Sequence, residues 1–183
     1  MKKIITFAIV LLLNCSILYA EETILSKNTS SYTSIDQKDC VTLDSDNMGS
    51  IQECESFTGI GVKVIEGDIR QSIILTRNEK EYDLAFWSTV SSAFSSLGLK
   101  IEWRHELGKP EKVKGMIVRF EASDDYENLD KVSSYLVVSK ITKDEVCVVA
   151  KVLPQKNQNE MARKILDSTD ILPCLKNFEG TKR

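Results

Sequence analysis

The sequence predicts an α+β fold: an antiparallel sheet of about six strands with a C-terminal helix packed on one face and two disulfides. Three observations support this prediction. Several segments alternate apolar and polar residues, one segment near the C-terminus is amphipathic at helical spacing, and four cysteines follow an export signal. Alternation of period two is typical of half-buried strands, and strands followed by a helix favour the α+β class.

The strand prediction rests mainly on the second half of the chain. LKIEWRHE places Leu99, Ile101, Trp103 and His105 on one face and charged residues on the other. Three later segments, GMIVRFEAS, SSYLVVSKI and EVCVVAKVL, continue the pattern, so we expect a four-strand meander. Earlier, GVKVIEGDIRQSIILTR predicts a hairpin that turns around Gly67, which can supply a positive φ.

One helix is clearly indicated, in NQNEMARKILDSTD. Asn157 can cap it and Glu160 can complete a capping box, while the following apolar residues recur at helical spacing. A second segment, FWSTVSSAFSSLG, has apolar residues at helical spacing but many serines and threonines, which disfavour helix interiors. Its state is left open.

The N-terminus has the layout of a secretory signal peptide. Lys2 and Lys3 precede a ten-residue apolar run, and Ala20 ends a plausible cleavage site. The predicted organisation is a signal peptide at 1–20, a flexible leader at 21–31, one globular domain at 32–176 and a tail at 177–183. An alternative is a lipid anchor on Cys15, although Asn14 is larger than the residue such sites favour.

Composition narrows the range of partners. Removing Lys2 and Lys3 takes the formal net charge from −3 to −5, and the remaining basic residues are scattered. Nucleic acid is therefore not an expected partner, since its binding needs a concentrated basic face. No second apolar segment follows the signal, so no membrane span is expected in the mature chain, which we place in the periplasm or outside the cell.

Four cysteines remain after cleavage: Cys40, Cys54, Cys147 and Cys174. An even count in an exported chain predicts disulfides, and four cysteines allow three pairings. The spacing favours 40–54 and 147–174, the second tying a strand to the chain after the helix. A zinc site or a redox site is the alternative, but the sequence has no C-x-x-C pair and one histidine.

The stretches YTSIDQKDC, GIGVKVIEGDIRQSIIL and FSSLGLKIEWR resemble a family of small exported alphaproteobacterial proteins. The resemblance covers about residues 32–174, with EGD and IEWR its most specific parts. It implies no assigned activity, substrate or site. It also implies prolines near the segment that matches 88–95, which disfavours a helix there, and a variable spacing between the first two cysteines.

The stretch DSDNMGSIQECE resembles the loop of a calcium-binding EF-hand. Asp44, Asp46 and Glu55 occupy ligand positions one, three and twelve, and Gly49 occupies position six. Met48 stands where a fifth-position oxygen is required, and strand-like residues follow instead of a helix. The interpretation favoured here is a polar turn, with a calcium-stabilised envelope protein as an alternative.

Candidate catalytic residues are few. His105 could act as a base, and Asp124 and Asp125, with Glu127, could form the carboxylate pair of a hydrolase. The sequence contains no G-x-S-x-G elbow, no Ser-x-x-Lys pair and no glycine-rich phosphate loop. We therefore expect a non-enzymatic binding module without a cofactor that recognises a protein or cell-envelope component. An inhibitor of a hydrolase is a narrower form of this hypothesis, and a small envelope hydrolase is the alternative.

Overall fold

The computed structural model describes residues 27–125, 127–128, 130–170 and 172–177. Within these residues ten strands form one sheet: β1 (Asn28–Ser34), β2 (Val41–Ser45), β3 (Gly49–Phe57), β4 (Ile60–Gly67), β5 (Arg70–Arg77), β6 (Lys80–Asp83), β7 (Ser95–Glu106), β8 (Lys109–Ala122), β9 (Ser133–Ile141) and β10 (Val146–Val152). The helices are α1 (Phe86–Thr89) and α2 (Gln158–Asp167), and Gln37–Asp39 is one 3-10 turn. The predicted signal peptide, Cys15 and residues 178–183 of the tail lie outside the described residues.

The strands follow the order β10-β9-β8-β7-β5-β4-β3-β2, while β1 pairs with β7 and β6 with β5. These pairings are antiparallel except for a parallel bridge between Arg70 of β5 and Ser95 of β7. A sheet-rich fold with a C-terminal helix and two disulfides is confirmed. The predictions of about six strands and of a purely antiparallel sheet are wrong, because the sheet has ten strands and contains one parallel pairing.

The strands that the sequence pattern missed are polar. β1 reads NTSSYTS, and its first residues fall in the segment predicted as a flexible leader, which is wrong for residues 28–31. This strand is held by backbone pairing along β7 from Asn28↔Glu106 to Ser34↔Lys100. A pattern of alternating apolar residues does not reveal a polar strand such as β1, which is stabilised by hydrogen bonds to its neighbour β7. The preference of a residue for a β-strand depends on this kind of context.

The main core lies between two parts of the curled sheet. Residues of β3, β4 and β5 pack with residues of β7, β8, β9 and β10 in one buried cluster. Phe57 of β3 stacks on Trp103 of β7 at 5.3 Å between ring centroids, although β4 and β5 separate those strands in the sheet. The sheet therefore folds back on itself and encloses the residues that the period-two pattern assigned to the inner face.

The opposite face of β8, β9 and β10 is covered by α2. Ile117, Leu136 and Val152 pack there against Ala162 and Leu166 of the helix. The helix is present where the sequence predicted it, but Asn157 makes no capping hydrogen bond through its side chain, so the predicted capping box is wrong.

Ion pairs fasten the N-terminal end of the molecule to α2. Arg104 of β7 pairs with Asp167, and Glu102 of β7 pairs with Arg163, whose Nη2 donates to Oε2 at 3.0 Å. Ser30 of β1 donates to Glu102 and accepts from Arg104 Nη1 at 2.8 Å. Burial acts to raise the pKa of Glu102, but hydrogen bonds from Arg163 and Ser30 outweigh it and hold the pKa below its ordinary value. Its contribution to stability is therefore lost as the pH falls through that lowered value.

The structure decides one segment that the sequence left open and corrects one predicted turn. In FWSTVSSAFSSLG only Phe86–Thr89 is helical, and Ser95 already begins β7. In the β4–β5 hairpin the positive φ angles belong to Asp68, at 51°, and Ile69, at 59°, and not to Gly67. The turn residues are the two that follow Gly67, because Gly67 itself pairs with Arg70.

Both disulfides have the predicted pairing, Cys40–Cys54 and Cys147–Cys174. The second anchors the chain after α2, where Leu175 N also donates to Val148 O at 2.8 Å and Lys140 Nζ donates to Leu172 O at 2.7 Å. Disulfides of this kind are characteristic of oxidising, extracellular environments.

Candidate binding site

The candidate catalytic residues lie at opposite ends of the β7–β8 pair. His105 lies opposite Val113 at one end, and Ala122, which precedes the acids, lies opposite Ser95 at the other. Ten residues of strand separate these ends by roughly 30 Å. A hydrolase site that combines His105 with Asp124 or Asp125 is therefore incompatible with the structure.

His105 is buried, with 4% of its surface exposed. Its Nε2 lies 2.9 Å from Ser31 Oγ and its Nδ1 lies 3.1 Å from Glu106 O. The ring packs against Phe57 at 5.8 Å between centroids. Both nitrogens are satisfied within the fold, so the residue acts as a packed core histidine.

The three acids after β8 do not share a site either. Asp125 pairs with Lys131 at 2.9 Å and accepts from Glu127 N at 3.1 Å. The hydrogen bond from Lys131 lowers the pKa of Asp125. Glu127 is exposed. These groups form a solvated loop.

Asp124 belongs to a different cluster. It accepts a hydrogen bond from Tyr135 Oη, and Lys151 Nζ lies 3.9 Å from its Oδ2 and 3.9 Å from the centroid of the Tyr135 ring. Burial lowers the pKa of Lys151, against the attraction of Asp124. Lys151 also donates to Val90 O at 3.0 Å, so the three side chains satisfy one another.

The calcium-loop candidates lie along a β-hairpin. Asp46 Oδ1 accepts from Met48 N at 2.7 Å and Gly49 N at 2.9 Å, which closes the turn between β2 and β3. Glu55 lies beyond the start of β2, because Val41 is paired with Glu53. Five residues of strand separate Glu55 from the turn at Ser50, roughly 15 Å, so Asp44, Asp46 and Glu55 do not converge on one ion in this arrangement.

Among the described residues, one group of potential metal ligands lies close together: Glu145, Cys147 and Cys174. The two cysteines are bonded to each other and have no thiolate to offer. This cluster is therefore part of a structural disulfide.

The structure has a cleft of about 690 Å³ where two hairpin tips meet the start of β7. Its walls are the turn of β2–β3, the turn of β4–β5, residues 96–99 of β7 and residues 35–37 after β1. We call this the acidic cleft, because four carboxylates line it: Asp36, Asp46, Glu66 and Asp68. Its volume lies in the range of pockets that bind ligands.

No lysine, arginine or histidine is among the residues that line the acidic cleft. Asp36 pairs with Lys38 at 2.9 Å and Asp68 with Arg70 at 2.8 Å, and neither cation belongs to the cleft wall. The hydrogen bond from Lys38 lowers the pKa of Asp36, which stays ionised at neutral pH. The cleft therefore presents negative charge to whatever enters it.

Gln52 lines the same cleft from β3 and is 6% exposed. Among the described residues its amide group makes no side-chain hydrogen bond. Gln52 lies between Thr42 and Val64 on the neighbouring strands, on the inner face that also carries Cys54. The amide is not among the fully buried unpaired groups of the described residues, which are the Ser95 and Ser139 hydroxyls, so its polar atoms open onto the cleft and can meet a ligand there.

Exposed apolar side chains surround the acids. Met48, Ile69 and Leu99 line the cleft and are each about two thirds exposed. Ile69 is β-branched and yet adopts φ 59°, a conformation that costs such residues energy. The hairpin tip therefore keeps an apolar side chain at the cleft mouth at a cost in stability.

We predict that Gln52→Leu changes the free energy of unfolding by less than about 1 kcal/mol, because the Gln52 amide makes no hydrogen bond within the described part of the protein and its polar atoms open onto the cleft. Urea denaturation of the wild type and the variant measures the difference. Gln158→Leu is the matched control and should destabilise, because the Gln158 amide donates to Ser134 O at 2.9 Å and to Val152 O at 3.0 Å. A loss of more than about 1 kcal/mol in Gln52→Leu would contradict an amide without a partner in the protein.

The residues of the acidic cleft come from segments far apart in the sequence, and sequence reasoning did not assemble them. Asp46 was considered only as a calcium ligand, and the EGD segment was interpreted only as a turn. One signal was present: acids recur at both hairpin tips, at Asp46 and at Glu66–Asp68. Hairpin tips at the same edge of a sheet can meet, but that edge is defined only by the strand order.

The fold and the cleft define a disulfide-bonded, sheet-rich protein with an acidic cleft. No helix among the described residues is long and apolar enough to cross a membrane. Comparison of the chain with protein-family models, curated proteins and solved structures gives no match.

Proposed function

We propose that the protein is an exported, non-enzymatic interaction module that binds a basic, partly apolar peptide segment of a partner protein in the acidic cleft. The observation that carries the proposal is a cleft of about 690 Å³ that is lined by four carboxylates and by no lysine, arginine or histidine. The two disulfides support a site of action in the periplasm or outside the cell.

Charge complementarity selects a cationic ligand. Two of the four carboxylates, Asp36 and Asp68, have partners outside the cleft, which leaves the charges of Asp46 and Glu66 without a cation. Glu66 accepts from Gln71 Nε2 at 2.8 Å and Asp46 accepts two backbone N–H groups, so both carboxylates are held in place before a ligand arrives. Preorganised charge of this kind favours association and orientation of an oppositely charged partner.

The exposed apolar side chains at the mouth of the acidic cleft favour a peptide with apolar residues over a simple cation. Met48, Ile69 and Leu99 offer exposed surface at the mouth of the cleft. Apolar contacts supply affinity that surface ion pairs do not, since those are screened by salt. The Gln52 amide offers both a donor and an acceptor, which matches a peptide backbone.

The test is a calorimetric titration of the purified protein with three blocked peptides of equal length. One alternates lysine and leucine, one lysine and serine, and one glutamate and leucine. We expect the first to bind most tightly, the second weakly and the third not at all. Equal binding of the lysine–leucine and glutamate–leucine peptides would contradict the proposal.

A second experiment compares two doubly substituted proteins. Each loses two negative charges, and the substituted residues all lie on or beside strands β2, β3 and β4. Asp46→Asn with Glu66→Gln removes negative charge inside the cleft, and we expect it to lower the affinity for the lysine–leucine peptide by about tenfold. Asp44→Asn with Glu55→Gln removes charge from exposed positions outside the cleft and should change binding by less than about twofold. The same loss in both variants would show a non-specific charge effect and refute a site in the cleft.

A further inference from the structure

A second cleft, of about 560 Å³, lies on the other side of the wall formed by Asp36 and Leu99, which line both cavities. It opens between β1, the 3-10 turn, the outer face of β7, β8 and β9, and the start of α2. Its floor includes Ile117 and Leu136, and Arg119 projects from β8 beside them. We call it the Arg119 cleft.

Arg119 is half-buried, and only one of its guanidinium nitrogens is engaged. Nη1 donates to Ser134 Oγ at 2.7 Å and lies 3.5 Å from Gln158 Oε1. Among the described residues no carboxylate pairs with Arg119, and its Nε and Nη2 make no hydrogen bond. The Nε–Nη2 edge is the one that carries two parallel N–H groups for a carboxylate.

The other charged groups of this cleft are already satisfied. Asp36 pairs with Lys38, Asp39 accepts from Ser34 Oγ at 2.7 Å, and Glu102 is held by Arg163 and Ser30. Lys100 lies over the Tyr32 ring, 5.0 Å from its centroid. Arg119 and Lys100 are therefore the cations of this cleft that no described carboxylate pairs with, and Arg119 has no described aromatic ring over which to place its charge. Partly buried charges normally have partners.

The shape of the site keeps Arg119 in position. A side-chain carbon built on Gly98 of β7 would lie 2.8 Å from Arg119 Cβ, so glycine is what allows the arginine to pack across β7. Ser134 and Gln158 then hold the Nη1 side, and Gln158 is itself fixed to Ser134 O and Val152 O. Next to Arg119 the cavity is lined by the exposed side chain of Leu99 and by small accessible parts of Ile117 and Leu136, which are otherwise buried under α2.

We propose that the Arg119 cleft binds a small organic carboxylate with an apolar body, such as a medium-chain fatty acid. The carboxylate takes both N–H groups of the Nε–Nη2 edge, and the apolar body lies against the exposed side chain of Leu99 and the small accessible parts of Ile117 and Leu136. This site does not depend on the peptide proposed for the acidic cleft, and it takes a ligand of the opposite charge.

The experiment titrates the purified protein with dodecanoate, dodecyltrimethylammonium and acetate. The two surfactants are kept below their critical micelle concentrations. The arginine Nε–H resonances are followed by NMR. We expect dodecanoate to bind and to shift the Nε–H signal of Arg119, and the other two compounds to bind at least about tenfold more weakly. No shift with dodecanoate, or equal binding of the ammonium compound with the same tail, would overturn the proposal.

Substitutions at Arg119 test whether this residue binds the carboxylate. Arg119→Gln should lower the affinity for dodecanoate by about ten- to one-hundredfold, which is the range for a hydrogen bond to a charged group. Arg119→Lys should bind dodecanoate with intermediate affinity, because it keeps the positive charge and loses the two parallel N–H groups. Arg77→Gln is the matched control, since Arg77 donates to a neutral oxygen, Thr142 O, at 2.8 Å outside the cleft. Unchanged dodecanoate affinity in a folded Arg119→Gln protein would refute the assignment.

Discussion

Trp103→Ala is expected to lower the free energy of unfolding by about 4 kcal/mol, the size typical of a tryptophan removed from a packed core. Trp103 has no exposed surface and is among the largest fully buried side chains. It stacks on Phe57 at 5.3 Å and thereby joins the two parts of the sheet that fold over each other. Its removal leaves a cavity at that junction.

The indole also makes a polar contact that phenylalanine cannot replace. Trp103 Nε1 donates to Thr33 Oγ1 at 2.9 Å, and Thr33 is itself buried in β1. We expect Trp103→Phe to cost about 1–2 kcal/mol, because the stacking remains and the threonine hydroxyl loses its partner. The difference between the two variants separates packing from the hydrogen bond.

Urea denaturation measured by circular dichroism tests both values, with Trp87→Ala as the control. Trp87, the other tryptophan of the chain, is only partly buried, so its removal should cost less than that of Trp103. A loss below about 1 kcal/mol for Trp103→Ala would contradict the central packing described here.

Arg104→Ala is expected to cost about 3 kcal/mol, at the lower end for breaking a buried ion pair because Asp167 remains 26% exposed. Arg104 Nε donates to Asp167 Oδ1 at 3.1 Å, and Asn28 Nδ2 donates to the same oxygen at 3.0 Å. The substitution leaves the Asp167 carboxylate without its cation and frees Ser30 from its contact with Nη1.

A double-mutant cycle with Asp167→Ala tests the cause. If the unpaired carboxylate is responsible, the double variant should be no less stable than Arg104→Ala alone, and a coupling energy of about 1–3 kcal/mol should result. Lys63→Ala serves as the control, because Lys63 and Glu81 form an exposed pair at 2.7 Å that should contribute less than about 1 kcal/mol. Strictly additive losses at Arg104 and Asp167 would rule out a coupled network.

The network also explains why one sequence prediction was only partly right. In LKIEWRHE the alternation correctly placed Ile101 and Trp103 on the inner face, and both are fully buried. The charged residues of the other face were expected in solvent, yet Glu102 and Arg104 are buried as well, beneath α2 and β1. Alternation distinguishes the two faces of a strand, but it does not show that a second layer covers the polar face.

The predictions that the structure confirms rest on the spacing of residues along the chain, whereas the finer predictions of the helix cap and of the φ angle at Gly67 are wrong. The disulfide pairs followed from cysteine spacing, and the C-terminal helix and the strands of the meander followed from periodicity. Signals of this kind lie within short segments, where side-chain spacing and backbone geometry are directly related.

The polar strands and both clefts were decided by tertiary structure. β1 is a strand because β7 offers it backbone partners, and the turn at Asp46 becomes part of a cleft because the sheet brings it beside Glu66 and Asp68. Arg119 differs from the other arginines only through what surrounds it after folding. Charge, burial and missing partners depend on neighbours distant in the chain, and the sequence alone therefore determined the framework but not the sites.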